Sequence, residues 1–315
     1  MSVTARMMIT AKVVADSVNA QGDRLTSLEL HYPRFIHAEF LRHRMFSHSV
    51  SSSRAIPVKK MINQINENPA TPIYWGKNQP GMSAACEVDD IETAEKAWEM
   101  SVRSAVINAK LFDSMEVHKQ ITNRIVEPFQ FINQVVTATD FDNFFYLRID
   151  KHAQPEICAL AEEMYKAMEE SEPVLISSYL GGSEEYHMPY IEESQKDKYS
   201  VLECQKISAS MCAQSSYRLA DSSLEKAEMI YDKLVNSRPL HASPFEHIAT
   251  PFTEQEYDMR LKYKDTFKRA LMSFGQEEHY AEAKSNMIMY EGNFCGWSQM
   301  RKHLKDETCW NYNHD

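Results

Sequence analysis

No apolar run in this sequence approaches the ~20 residues that a membrane-spanning helix needs. Its six cysteines (Cys86, Cys158, Cys204, Cys212, Cys295 and Cys309) include no C-x-x-C pair. That withholds the signature of a structural zinc site and fits free thiols in a reducing cytosol, so the expected location is cytoplasmic. Residues 1–6 lead into a short alternating segment without the apolar stretch of a secretory leader. Positive charge is in deficit: 34 Lys and Arg stand against 45 Asp and Glu, a formal net charge of −11. Non-specific nucleic-acid affinity comes from neutralising many phosphates, so an acidic chain is a poor candidate for it. The expected ligands are small anions, with neither nucleic acid nor membrane as partner. Short-period repeats, low-complexity tracts and a clean linker are also absent, while an apolar content of 43% is enough for a substantial core.

Against that acidic background one stretch stands out. Residues 42–54 hold three arginines (Arg42, Arg44, Arg54), two histidines (His43, His48) and five serines (Ser47, Ser49, Ser51, Ser52, Ser53). From Leu30 to Lys60 six basic residues (Arg34, Arg42, Arg44, Arg54, Lys59, Lys60) face one acid, Glu39. Guanidinium forks and hydroxyls bind phosphate oxygens in fixed geometry, which points to an anion pocket. The same residues would also make a solvated, positively charged helix end followed by a polar loop. Histidines 31, 37, 43 and 48 match no ligand spacing, and the adjacent arginines would repel a cation, so no metal is expected.

Residues 7–14 and 25–32 read as two strands joined by the turn-rich Asn19-Ala20-Gln21-Gly22-Asp23. Pro33 opens a helix whose C-terminal end delivers Arg42, His43 and Arg44, and a serine-rich loop follows. Helical periodicity marks residues 58–65, 91–118, 155–168, 206–217 and 223–235, and residues 129–145 read as buried. Residues 252–291 are largely charged helix. For the run from Asn293 to Lys302 the pattern offers no assignment.

Arg42-His43-Arg44, followed by seven residues and then Ser52, resembles the R-H-R-x7-S signature of flavin-dependent thymidylate synthases. Leu147-Arg148-Ile149-Asp150-Lys151-His152-Ala153-Gln154 is similar to that family's L-R-x-D-x-H-A-Q segment, and Ser243-Pro244-Phe245-Glu246-His247 to its T-P-F-E-H segment. Ala213-Gln214-Ser215-Ser216-Tyr217 is a weaker copy of A-R-V-S-Y. The order differs from that family, where A-R-V-S-Y and T-P-F-E-H come first. The expectation is a circularly permuted member in which His247 lies near the N-terminal hairpin. The resemblance implies a single α+β domain over 1–315, an antiparallel sheet flanked by helices. Its motifs fall within 1–250, and 251–315 is expected as a helical C-terminal extension.

The resemblance also implies roles. Arg148 and Ser52 would be catalytic. Arg42, His43, Arg44, His152, Ser216, Ser243, Glu246 and Asn143 would hold FAD. Glu39, Arg42, Ser52, Ser53, Arg54 and Arg148 would bind the nucleotide, joined by Arg124 from another subunit of a homotetramer. Departures are Glu39 for glutamine, Val50 for glutamate, Gln214 for arginine, and Thr137-Ala138-Thr139 (or Asp140 and Asn143) for an N-x-R pair. The implied reaction is reductive methylation of dUMP to dTMP, with methylenetetrahydrofolate as carbon donor and NADPH as reductant. Arg148 would stabilise charge on the pyrimidine without a cysteine nucleophile. Two alternatives stand beside it: a C5-modifying enzyme that takes dCMP or installs a hydroxymethyl group, suggested by Glu39, and a non-catalytic nucleotide- or RNA-binding protein.

Overall fold

The structure, a computed structural model, describes residues 8–177, 185–214 and 220–309. Strands β1 (Thr10–Val18) and β2 (Arg24–Pro33) form an antiparallel hairpin from Thr10 opposite His31 to Val18 opposite Arg24. The first strand runs past the expected Val14 because its far end is paired as well. Asp16 receives Arg24 at 2.9 and 2.6 Å and the Thr26 hydroxyl at 3.0 Å. In the turn, Asn19 Oδ1 accepts the amides of Gln21 and Asp23, and Gly22 adopts a φ of +91°, where a side chain would be strained.

The sheet continues with β3 (Ser47–Val50), β4 (Phe131–Ala138) and the short β5 (Val174–Leu175), in the order β3-β4-β2-β1-β5. All neighbours are antiparallel except β5, which runs parallel to β1. The expected serine-rich loop is therefore a strand over Ser47–Val50. Period-two alternation puts Ser47 and Ser49 on one face and His48 and Val50 on the other.

The two faces of the sheet differ in chemistry. Leu28, Leu30 and Tyr32 of β2 and Ile132, Val136 and Ala138 of β4 point into the main core. They pack there with Phe40, Phe46 and Phe144, and with Ile157, Leu160 and Met164 of the helix Pro155–Glu169. Each large side chain so buried contributes roughly 1.5–3 kcal/mol. The opposite face presents the buried Ser27, Thr137, Ser47 and Ser49. It is covered by the helix Val201–Ala213 and the 3-10 turn Ser243–His247, through Cys204, Ala209, Phe245 and Ile248. Ser200 starts that helix in a reciprocal capping box with Glu203. Helices Val58–Glu67 and Ile91–Ser114 form a separate cluster beside Val126 and Phe129.

The expected helical extension holds for Glu254–Ser273 and Glu278–Asn286 and then stops. Beyond it β7 (Tyr290–Glu291) pairs with β8 (Phe294–Cys295), and β9 (Trp297–Gln299) pairs with β6 (Ala249–Pro251). This segment closes over the first hairpin turn. Asn19 Nδ2 donates to the Gly296 carbonyl at 3.2 Å, and the fully buried Trp297 donates its Nε1 to the Asp23 carbonyl at 3.1 Å. Gly296 has φ +74°, and a Cβ there would collide with Asp23 and Asn19. Gly296→Ala is expected to cost about 2–3 kcal/mol in urea unfolding. Gly275→Ala, with φ +81° and nothing within 4 Å of its added Cβ, should cost only about 1 kcal/mol.

Candidate active site

Arg42, His43 and Arg44 sit in the turn between a single helical turn (His37–Phe40) and β3. Arg148 ends the helix Asp142–Arg148. The two segments meet directly: Arg148 Nε donates to His43 Nε2 at 2.9 Å. The His43 ring is held edge-on to Phe144 at 4.7 Å and lies 6.1 Å from Phe46, both members of the main core. Burial, followed by the charges of Arg148 and Arg42, lowers the His43 pKa to about 4. His43 is therefore a neutral acceptor at physiological pH and brings no counter-charge to Arg148. Among the described residues no carboxylate lies within ion-pair distance of Arg148. Around this contact Leu41, Tyr146, Leu147 and Ile149 are exposed, as are Arg42 and Arg44. Asn143 is exposed one turn before Leu147, Glu39 is half-buried on the preceding helical turn, and His152 is exposed with its amide on Asp150 Oδ1.

A second group lies where β3 runs on into Ser52, Ser53 and Arg54. Asn123 Nδ2 donates to the carbonyls of Ser53 and Ile56 at 2.7 and 2.8 Å, which fixes the loop that exposes Arg54. Ser53 donates to Glu127, the carboxylate that also holds Arg124 of the same chain at 3.0 Å. Arg124 thus stands beside Ser53 within one protomer.

The third group is on the opposite sheet face. Glu246 is bound by Arg301, and Ser243 is exposed at the start of the same turn. His247 is fully buried and shares a 2.8 Å bond with Thr137, which bonds Ser27 of β2. The expected proximity of His247 to the N-terminal hairpin is met. Ser216 lies outside the described residues.

The departures also have structural places. Val50 packs against the main core, and Thr137 belongs to the buried hydroxyl chain. Thr139 takes the Cys295 amide at 3.1 Å. Gln214 is buried and bonds both backbone groups of Asp221, at 2.9 and 3.0 Å. Sequence reasoning missed Arg301, Glu127, and the pair Asn293 and Gln299, whose side chains hold Ser47. The distinctive composition of residues 293–302 was the available signal.

A cavity of about 460 Å³ opens on the polar sheet face, lined by Glu29, His31, Gln130 and Asn133 among others. None of the sequence-predicted site residues lines it. Among the described residues no three His, Cys, Asp or Glu side chains converge as a metal site, and no helix is long and apolar enough to cross a membrane.

Burial dominates the buried imidazoles. It lowers His37, His43 and His48 to about 4, and His187 and His247 to about 3, from an ordinary 6.5. Their folded pKa values lie below the unfolded value, so between the two the unfolded chain binds more protons. Stability is full above the unfolded value and falls as pH drops through that window. At pH 5 unfolding should take up about four to five protons from these five groups, read from the slope of unfolding free energy against pH. A slope near zero would refute the neutral buried histidines.

The family model described as thymidylate synthase complementing protein matches residues 26–174. Two solved structures similar to this chain are those of a UMP/dUMP methylase, PolB, from Streptomyces cacaoi, bound with 5-Br dUMP and with 5-Br UMP. Each is 14% identical over 51% of this chain, at a TM-score of 0.40; the matches cover 89% and 88% of those chains respectively. No curated protein matches the chain.

Proposed function

From the match of the thymidylate synthase complementing protein model to residues 26–174, we propose that this chain methylates the C5 position of dUMP in a flavin-dependent reaction. The observation that carries this reading is the bond from Arg148 to His43, which joins the R-H-R and L-R segments into one site. With Nε engaged, the two Nη groups of Arg148 form a fork free to grip a pyrimidine carbonyl. A cation at that oxygen stabilises the negative charge that makes C5 nucleophilic, and no covalent attack by the protein is needed.

The surface around this contact suits a flavin: exposed Arg42 and Arg44 offer donors to phosphates, and exposed Leu41, Tyr146, Leu147 and Ile149 offer apolar area to a ring system. FAD, when bound, would supply hydride chemistry and relay the one-carbon unit of methylenetetrahydrofolate, with NADPH as the reductant. Arg42, Arg44, His152 and Asn143 would hold it on this side, and His43 would orient Arg148. Ser52 would sit at the reacting pyrimidine, while Ser53, Arg54 and Arg124 would take its 5′-phosphate, with Glu39 facing the base.

Ser243 and Glu246 are separated from Arg148 by the sheet. They would reach a flavin only across a subunit boundary, which favours a homotetramer with sites built from more than one copy. The motif order is read as a circular permutation, supported by the short chain of contacts from His247 through Thr137 to Ser27.

Incubation of the protein with FAD, NADPH, methylenetetrahydrofolate and either dUMP or dCMP tests the reading. The expected product is dTMP from dUMP; turnover of dCMP alone selects the cytosine alternative, and turnover of neither selects the binding module. Arg148→Ala should lower methylation at least about 100-fold and retain the visible absorbance of bound flavin.

A further inference from the structure

Ser53, Arg34 and Arg124 converge on one carboxylate. Glu127 accepts from the Ser53 hydroxyl, lies 3.0 Å from Arg124 Nη1 through each of its oxygens, and lies 3.2 Å from Arg34 Nη2. Two guanidiniums against one carboxylate leave the cluster with an excess of one positive charge. It is also short of acceptors, since Arg34 Nη1 is buried without a partner. Burial, opposed by Glu127 and reinforced by Arg124, holds the Arg34 guanidinium below its ordinary pKa, so a further anionic partner would be welcome there. A carboxylate brings two oxygens and one charge; a phosphate monoester brings three terminal oxygens and up to two charges.

We propose that Glu127 is a surrogate anion, occupying donors that the 5′-phosphate of a nucleotide takes over, and that Arg34 belongs to the phosphate ligands with Ser53 and Arg124. This rests on the nucleotide-monophosphate reading above and adds two residues to it. Glu127 keeps two like charges and a hydroxyl assembled without ligand, and in return weakens phosphate binding by competing for the same donors. It is thereby the residue that sets the affinity for the phosphate as opposed to the nucleoside.

Isothermal titration of the full chain with dUMP, deoxyuridine and inorganic phosphate tests this. Glu127→Gln should bind dUMP and inorganic phosphate about tenfold more tightly, and Arg34→Gln should bind dUMP about tenfold more weakly. Deoxyuridine affinity should stay put in both variants, which a general loosening of the loop would not allow. Unchanged or weaker phosphate and dUMP binding in a Glu127→Gln protein with native circular dichroism overturns the proposal. So does dUMP affinity that Arg34→Gln leaves unmoved. If the unmodified protein binds no dUMP and Glu127→Gln still tightens inorganic phosphate, the nucleotide reading fails and the surrogate role of Glu127 stands.

Discussion

A guanidinium held by a neutral imidazole is the contact on which the rest of this structure depends. A carboxylate in place of His43 would fix Arg148 equally well, but it would cancel the charge that the site has to offer. The imidazole fixes direction and leaves the charge uncompensated. It can do so because Phe46 and Phe144 surround His43 and burial keeps it unprotonated. Core packing and site electrostatics are thus the same construction: the aromatic cluster that fills one sheet face also sets the protonation state of the residue that aims Arg148.

The sheet extends this logic through its two unlike faces. Toward the main core, Tyr32 bonds both Gln134 and His37, and Gln134 reaches His48, a polar ladder set within aliphatic packing. Toward the other face, Ser17, His187, Ser27, Thr137 and His247 form an unbroken series of hydroxyl–imidazole contacts. Buried polar groups cost stability unless they are paired, and paired they specify one arrangement. The turn Ser243–His247 is anchored by that second series, which makes its position a consequence of strand chemistry rather than of its own short sequence.

The sequence was legible where short motif and local pattern coincide. R-H-R and L-R-I-D-K-H-A-Q are short, and their meeting through His43 and Arg148 accords with the resemblance they carry. The hairpin followed from strand pattern and turn residues and the long helices from periodicity, and the structure adds the caps at Asp90 and Ser223. The strand Ser47–Val50 was read as a loop because a serine-rich run carries little apolar alternation; the face it turns inward is polar. Residues 293–302 were opaque for a different reason. Asn293 and Gln299 find their partner at Ser47, some 250 positions earlier, and no window along the chain contains both. Glu127 carries no local signal for the same reason, since two of its partners, Arg34 and Ser53, are far from it in sequence.

The clasp of Trp297 and Gly296 over the Asn19–Asp23 turn joins positions up to 277 residues apart. During synthesis the first hairpin emerges well before its clasp, and its turn stays uncapped until Gly296 and Trp297 follow, up to 277 residues later. Its exposed polar groups and the strand edge beside them must therefore wait in a half-built state, the stage at which nascent chains are most open to mispairing and to chaperones.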